Sequence, residues 1–204
     1  MKTDWNRHWE LYGGLGWKFW LRQIRRGYRK LLEGIDLRGG RIAELGSGSG
    51  RNTLELAKVF KPAEILLVDS CPAAIRISKR VLKGFPTRFL QQDILKLKLK
   101  NRFDLVHSEG LIEHFFGKDR ERAFRKHVQL CRKGGYVLIF VPIKSLRYRI
   151  FKLVYQKLGK WIWDEEPLTI EELRGLFRRN GLKILREYQS VFLCQYGILG
   201  RKVI

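Results

Sequence analysis

The chain contains a strand-to-helix turn in which glycines alternate with serines, at Gly46, Gly48 and Gly50, shortly after Glu44. Glycine has no Cβ, so the backbone of such a turn can approach a ligand closely. Asp69 ends the next apolar run about 20 residues after the last glycine, the offset at which a carboxylate can accept hydrogen bonds from a ribose diol. The turn and the carboxylate together predict a site for a nucleotide-like cofactor.

Two common nucleotide motifs do not fit this turn. The dinucleotide fingerprint G-x-G-x-x-G requires glycine at position 51, where the chain has Arg51, and a P-loop requires Gly-Lys followed by Ser or Thr. A structural interpretation stays open, because glycines also serve tight turns, and Asp69, Ser70 and Pro72 have the composition of a helix N-terminus. Capping a helix and binding a ribose are compatible roles for Asp69.

Several short motifs follow one another in a fixed order along most of the chain. They occupy residues 44–50, 68–70, 92–94, 103–106, 109–114 and 132–135. In order and spacing they resemble the class I S-adenosylmethionine-dependent methyltransferases, especially the type 11-like group. The resemblance implies S-adenosylmethionine as the cofactor and methyl transfer as the reaction.

The contacts implied by the resemblance follow the cofactor from end to end. The methionine end lies against Glu44, Gly46, Ser47, Gly48 and Gly50, the ribose against Asp69 and Ser70, the adenine against Asp93 and the backbone of Ile94, and the sulfonium near Ser108 and Glu109. These residue types suit such roles, because carboxylates accept several hydrogen bonds and apolar side chains flank adenine. A solvated strand end for Asp93, and an ordinary loop for Ser108 and Glu109, stay open as alternatives.

The reaction itself makes few demands on side chains. The sulfonium is already a strong electrophile, so the protein mainly aligns the acceptor and excludes water, and a base is needed only if the acceptor loses a proton. The titratable groups after the fourth predicted strand are His107, Glu109, Glu113 and His114. His114 is the catalytic candidate because histidine titrates near neutral pH, with a structural histidine at a helix start as the alternative.

Strands and helices alternate through most of the chain, which predicts a parallel sheet covered on both faces. The predicted strands are 41–45, 65–68, 88–92, 103–107, 136–141, 182–188 and 198–204, and the predicted helices are 17–35, 52–60, 72–83, 123–131 and 170–180. With the resemblance, we expect an α/β fold with a doubly wound, seven-stranded, mostly parallel sheet. Its last two strands should form an antiparallel closing pair, in a single domain over residues 1–204.

Two segments outside these motifs are basic and aromatic. Residues 1–36 are expected to form an N-terminal basic helical cap, with Trp5, Trp9 and Tyr12 closing over the cofactor. Residues 142–168 are expected to be an insertion that covers the acceptor site, with cations and aromatics that suit phosphates, bases or an apolar pocket. The alternative is an amphipathic helix whose aromatics belong to the core and whose cations are solvated.

Composition limits the setting and the partners. Lys and Arg total 42 against 20 Asp and Glu, and the net charge of +22 favours polyanions such as RNA, DNA or anionic lipid. The three cysteines are widely separated, so neither disulfides nor a zinc site are predicted, and no metal is expected. We expect a cytoplasmic location. No uncharged apolar run approaches the roughly 20 residues of a membrane span.

Three functions remain open at this stage. The first is a methyltransferase acting on a small-molecule or lipid-like acceptor, because no separate RNA-binding domain is present. The second is an RNA methyltransferase, with tRNA or rRNA as substrate, which the net charge favours. The third is a non-enzymatic basic nucleic-acid-binding protein that retains the fold, which the intact glycine turn and Asp69 disfavour.

Overall fold

The computed structural model describes residues 3–10, 15–100, 102–190 and 194–203, and leaves the side chains of residues 10 and 15–18 undescribed. Tyr12 of the expected cap therefore lies outside the described residues. The strands are β1 (Arg41–Leu45), β2 (Glu64–Asp69), β3 (Thr87–Gln91), β4 (Phe103–Glu109), β5 (Cys131–Pro142), β6 (Leu182–Gln189) and β7 (Gln195–Lys202). The α-helices are α1 (Trp5–Glu10), α2 (Leu15–Leu31), α3 (Arg51–Phe60), α4 (Pro72–Val81), α5 (Lys118–Leu130), α6 (Leu146–Lys157) and α7 (Ile170–Arg179).

The seven strands form one sheet in the order β3-β2-β1-β4-β5-β7-β6. Strands β1 to β5 run parallel, and β7 is antiparallel to both of its neighbours. The prediction of a doubly wound, mostly parallel sheet with an antiparallel closing pair is confirmed. The chain proceeds outward from β1 in one direction and from β4 in the other. The crevice at the carboxyl ends of these two strands is where open α/β sheets bind ligands.

Both faces of the central strands are apolar, because alternate residues of a strand point to opposite faces. Leu105 of β4 belongs to a core cluster with Ile24 and Leu31 of α2. Its neighbour Val106 belongs to the cluster on the other face, with Phe124 of α5 and residues of α7. Helices therefore pack on both faces, and the strand ends are left as the place for a site. Of the helices in the described ranges, none is long and apolar enough to cross a bilayer.

Several element boundaries differ from the predicted ones. Helix α5 begins at Lys118 rather than at the predicted Ala123. The predicted start was too late because the first turn of the helix is almost entirely charged and shows no apolar periodicity. Helix α1 has only six residues, too few for a helical period to be recognised. Strand β7 begins at Gln195, where it pairs with Pro142 at the end of β5, rather than at Ile198. Helix α7, predicted over 170–180, begins with a capping box formed by Thr169 and Glu172.

Candidate cofactor and acceptor site

The glycine turn follows β1 at the carboxyl edge of the sheet. Gly46, Gly48 and Gly50 have φ angles of 62°, 50° and 69°, in the left-handed region that favours glycine. A Cβ built at Gly48 comes within 2.3 Å of the Trp9 ring of α1, and one at Gly46 within 2.6 Å of the Leu111 side chain. The turn is therefore pressed between the N-terminal helix and the loop after β4, with no room for larger residues.

Asp69 ends β2 beside this turn. Its Oδ2 accepts a hydrogen bond of 2.8 Å from the backbone N–H of Gly48, and its Oδ1 accepts one of 2.9 Å from Cys71. Burial raises the pKa of Asp69, although hydrogen bonds from backbone N–H groups oppose the shift. Each carboxylate oxygen has more than one lone pair, so both can accept a further hydrogen bond from a ligand. The neighbouring Ser70 is exposed.

Glu44 lies almost completely buried below the turn. It accepts a hydrogen bond of 2.6 Å from Thr53 Oγ1, which lies 3.1 Å from His107 Nε2, and His107 Nδ1 lies 3.0 Å from the Tyr28 hydroxyl. Burial raises the pKa of Glu44 to about 8, and burial lowers the pKa of His107 to about 3. His107 is therefore a neutral member of a buried chain of hydrogen bonds and has no access to an acceptor.

The remaining predicted cofactor residues stand along the same edge. Ser47 is buried, and no partner hydrogen-bonds its hydroxyl among the described residues. Asp93 follows β3 and caps a single 3₁₀ turn by accepting a hydrogen bond of 2.9 Å from the N–H of Leu95. Ile94 is buried in the core, and the N–H of Gln92 donates to the carbonyl of Asp69 at 3.0 Å. That bond holds the ends of β2 and β3 side by side.

Ser108 and Glu109 end β4 with different surroundings. The Ser108 side chain is fully buried and lies 3.0 Å from His127 Nε2, so only its backbone is available to line the crevice. Burial raises the pKa of Glu109 to about 7, while hydrogen bonds from Trp20 of α2 and Asn52 of α3 oppose the shift. Glu109 is thus a partly exposed carboxyl group with a pKa near neutrality, at the crevice beyond β4.

A second group of titratable side chains lies one turn further along, around His114. His114 Nδ1 lies 3.1 Å from the carbonyl oxygen of Asp164, and Glu165 accepts a hydrogen bond of 2.9 Å from the Tyr148 hydroxyl of α6. Glu113 is 1% exposed and sits beside this pair rather than at the N-terminus of α5. Burial lowers the pKa of His114, although its contacts with Asp164 oppose the shift. No sequence motif predicts that Asp164 and Glu165 lie beside His114.

Helix α1 lies across both groups. Its Trp9 packs over Gly48, and its Trp5 packs edge-on against the His114 ring at 4.8 Å between centroids. The hydroxyl of Thr3, just before the helix, is hydrogen-bonded to the side chain and the backbone N–H of Asp164. The N-terminal residues therefore contact both the glycine turn and the His114 group.

Comparison with known proteins points to one reaction class. A methyltransferase domain family matches residues 42–135, which include the glycine turn, Asp69 and the loop after β4. An uncharacterised methyltransferase from Bacillus cytotoxicus is 23% identical over 176 residues, covering 80% of this chain and 79% of that protein.

Solved structures share the fold over the whole chain. The putative methyltransferase in complex with the Trm112 methyltransferase activator of Haloferax volcanii has a TM-score of 0.78 at 14% identity, covering 99% of both chains. The N-methyltransferase NodS from Bradyrhizobium japonicum, in complex with S-adenosylhomocysteine, has a TM-score of 0.71 at 15% identity, covering 98% of this chain and 99% of that one. The family match, the sheet order and these relatives identify residues 42–135 as a methyltransferase domain of the class I S-adenosylmethionine-dependent kind.

Proposed function

We propose that this enzyme transfers the methyl group of S-adenosylmethionine to a small, lipid-like acceptor that reaches the crevice beside α6. The observation that carries the acceptor class is the outer face of α6, which is apolar and exposed although the helix lies next to the His114 group.

The residues at the carboxyl edge fit the cofactor. Asp69 has lone pairs left for the ribose hydroxyls, and the Ser47 hydroxyl is buried with no described partner in hydrogen-bonding range. Glu44 supplies a buried carboxyl group for the amino group, and Asp93 with Ile94 stands where the adenine would lie. When bound, S-adenosylmethionine supplies an electrophilic methyl group whose carbon–sulfur bond breaks as the bond to the acceptor forms.

Two groups face the acceptor side. Glu109 has a pKa raised by burial to about 7, so it can take a proton from an acceptor near neutral pH. Burial lowers the pKa of His114 and keeps the ring neutral, so a nitrogen lone pair is available there as well. The lone pair of His114 can accept a proton or bind a cation.

The outer face of α6 supports a lipid-like acceptor. Leu146, Ile150, Leu153 and Val154 recur at the spacing of one helical face, and each is about half exposed or more, with Leu146 at 70%. The opposite side of the helix is anchored by Tyr148, which is buried and bonded to Glu165. An apolar face of this size on a helix that touches the site is typical of a surface that meets lipid.

The charges around that face fit an anionic membrane surface. No Asp or Glu occurs between Lys144 and Trp163, and this stretch carries six cations, which are Lys144, Arg147, Arg149, Lys152, Lys157 and Lys160. Basic side chains beside an apolar helical face add electrostatic attraction to anionic head groups. An RNA surface would meet the cations but would leave the leucines and isoleucine without a partner, so RNA is the less favoured acceptor.

The test of this proposal follows both the protein and the methyl group. We expect the chain to co-sediment with vesicles containing phosphatidylglycerol and to do so much less with phosphatidylcholine alone. The double variant Ile150→Ser/Leu153→Ser should weaken vesicle binding about tenfold or more, because the buried apolar area is lost. Val59→Ser, which changes an exposed residue of α3, is the matched control and should have no effect.

The acceptor is identified by supplying S-adenosylmethionine with a labelled methyl group to total lipid and total RNA from one lysate. Label in the solvent-extracted lipid pool supports the proposal. Label in RNA, with vesicle binding unaffected by the α6 substitutions, would overturn it in favour of the RNA methyltransferase.

A further inference from the structure

We propose that Glu113, His114 and Glu165 form a binding site for a divalent metal ion on the acceptor side of the crevice. Each of the three offers one ligand atom, and these atoms all lie within 4.8 Å of one another. Ligands bound about 2.1 Å from a metal at angles near 100° stand roughly 3.2 Å apart, so a modest inward rotation of the side chains completes the site. Two carboxylates and one imidazole suit Mn²⁺, Fe²⁺ or Zn²⁺.

The surrounding contacts orient two of the ligands. His114 Nδ1 lies 3.1 Å from the carbonyl oxygen of Asp164, which accepts a hydrogen bond from Nδ1–H, so the lone pair of the neutral ring is on Nε2. Glu165 uses Oε1 to accept the hydrogen bond from Tyr148 and has Oε2 at 3.9 Å from His114 Nε2. A metal-bound histidine almost always has such a carbonyl or carboxylate behind it.

Glu113 gives independent support for a ligand. Its side chain is 1% exposed, and its Oε2 is buried with no hydrogen-bond partner among the described residues. A buried carboxylate oxygen without a partner is costly, and a bound cation removes that cost. The backbone carbonyl of Glu113 accepts a hydrogen bond of 3.0 Å from the N–H of Glu166, which ties the two ligand-bearing segments together.

The charges around the cluster leave room for an added cation. Lys and Arg outnumber Asp and Glu by about two to one, yet no described Lys or Arg forms an ion pair with Glu113 or Glu165. Burial raises the pKa of both carboxyl groups, and Arg120 and Lys152 are near enough to oppose the shifts of Glu113 and Glu165 respectively. Arg120, however, pairs with Glu166 at 2.9 Å, and Lys152 lies over the Trp161 ring. The same arrangement could attract an ammonium group, but a neutral imidazole lone pair converging with two carboxylates is the donor set of a metal.

A metal ion at this site would favour an acceptor with a hydroxyl group. This inference about the acceptor rests on the proposed methyl transfer, whereas the proposal that the site binds a metal is independent of it. A divalent ion would bind the acceptor oxygen, lower the pKa of its O–H group and direct the oxygen toward the methyl group. The O–H proton passes to a base such as Glu109, the oxygen–carbon bond forms, and the carbon–sulfur bond breaks to leave the thioether.

The metal site is tested on the full chain after dialysis against EDTA. Titration with Mn²⁺ alone, followed by the loss of the free-ion electron paramagnetic resonance signal, should show one site per chain. Glu113→Gln, His114→Asn and Glu165→Gln should each weaken Mn²⁺ binding at least tenfold. Glu171→Gln, which changes an exposed carboxylate of α7, is the control and should bind Mn²⁺ like the wild type.

Binding of S-adenosylmethionine, measured on the same samples without metal, separates the two proposals. A variant that binds the cofactor normally but has lost Mn²⁺ supports the site, because it is folded. No Mn²⁺ binding by wild type, or equal binding by all three ligand variants, would overturn the metal site and leave the methyltransferase proposal standing. Mn²⁺ binding without cofactor binding would instead overturn the methyltransferase proposal alone.

Discussion

Glu44 shows how burial tunes a single residue of the site. Its carboxyl group is enclosed beneath the glycine turn, and burial raises its pKa to about 8, so the group is largely protonated at neutral pH. The proposed cofactor has a positive sulfonium and an amino group. Because a nearby positive charge favours an ionised carboxylate, cofactor binding should be coupled to loss of a proton.

We therefore expect the affinity for S-adenosylmethionine to rise between pH 5.5 and 7.5, by at most about tenfold per pH unit for one released proton. Glu44→Gln should reduce this slope, while Glu33→Gln, which changes an exposed carboxylate after α2, should leave it intact. Calorimetric titration at three pH values, in two buffers of different ionisation enthalpy, measures both the affinity and the proton count. A pH-independent wild-type affinity would contradict the assignment.

At the same scale, the sequence predicted the residues whose roles are local. The turn at Gly46 to Gly50 and the carboxylate of Asp69 follow their own strands, and the hydrogen bond from Gly48 to Asp69 brings them together. Glu165 could not be predicted in this way. Its position beside His114 depends on how the chain returns after α6, which no local pattern records.

Among the elements, α1 lies over the glycine turn. Trp9 occupies the space above Gly48, and the helix is held at its start by the hydrogen bonds between Thr3 and Asp164. If α1 covers the bound cofactor, Trp9 has to move for the cofactor to enter. The expectation of an N-terminal cap over the cofactor remains a prediction, now with a named contact to test it.

Trp9→Ala should increase both the association and the dissociation rate of S-adenosylmethionine, by roughly three- to tenfold. Without the aromatic ring, no side chain has to move out of the crevice before the cofactor enters, and none covers the bound cofactor. Stopped-flow fluorescence of the remaining tryptophans measures both rates. Trp161→Ala, which removes a ring packed against Tyr148 and Phe151 instead, is the matched control. Unchanged rates in Trp9→Ala would mean that α1 does not control entry.

The elements also show where sequence patterns fail. Buried parallel strands such as β2 are continuous apolar runs between turn residues, so they were predicted closely. Helix α5 was predicted too short, since the charges of its first turn conceal the helical period. Within the expected N-terminal cap, α1 was not predicted as a separate helix, because its stability comes from packing of Trp5 and Trp9 against Cys71, Ala73 and Ala74.

For the whole molecule, the buried titratable groups impose opposing pH dependences. Burial lowers the pKa of His107 to about 3 and that of His127 to about 4, so these histidines bind more protons in the unfolded chain below pH 6.5. Burial raises the pKa of Glu44 to about 8 and that of Glu109 to about 7, so these carboxyl groups bind more protons in the folded chain between about pH 4.5 and 8. Stability therefore falls as the pH drops below about 4.5, because of the histidines, and falls as the pH rises from 6.5 to 8, because of the carboxyl groups.

The free energy of unfolding should accordingly be greatest at mildly acidic pH, near 5 to 6.5, and should decrease toward pH 8. The double variant Glu44→Gln/Glu109→Gln should flatten the decrease between pH 6.5 and 8, because these two carboxyl groups no longer have to ionise in a desolvated setting. Urea denaturation at half-unit intervals of pH measures this, with Glu33→Gln/Glu171→Gln as an exposed control pair. A wild-type stability that rises from pH 6.5 to 8 would show that these carboxyl groups ionise freely in the folded protein, and that the crevice is open to water rather than closed by α1 and α2.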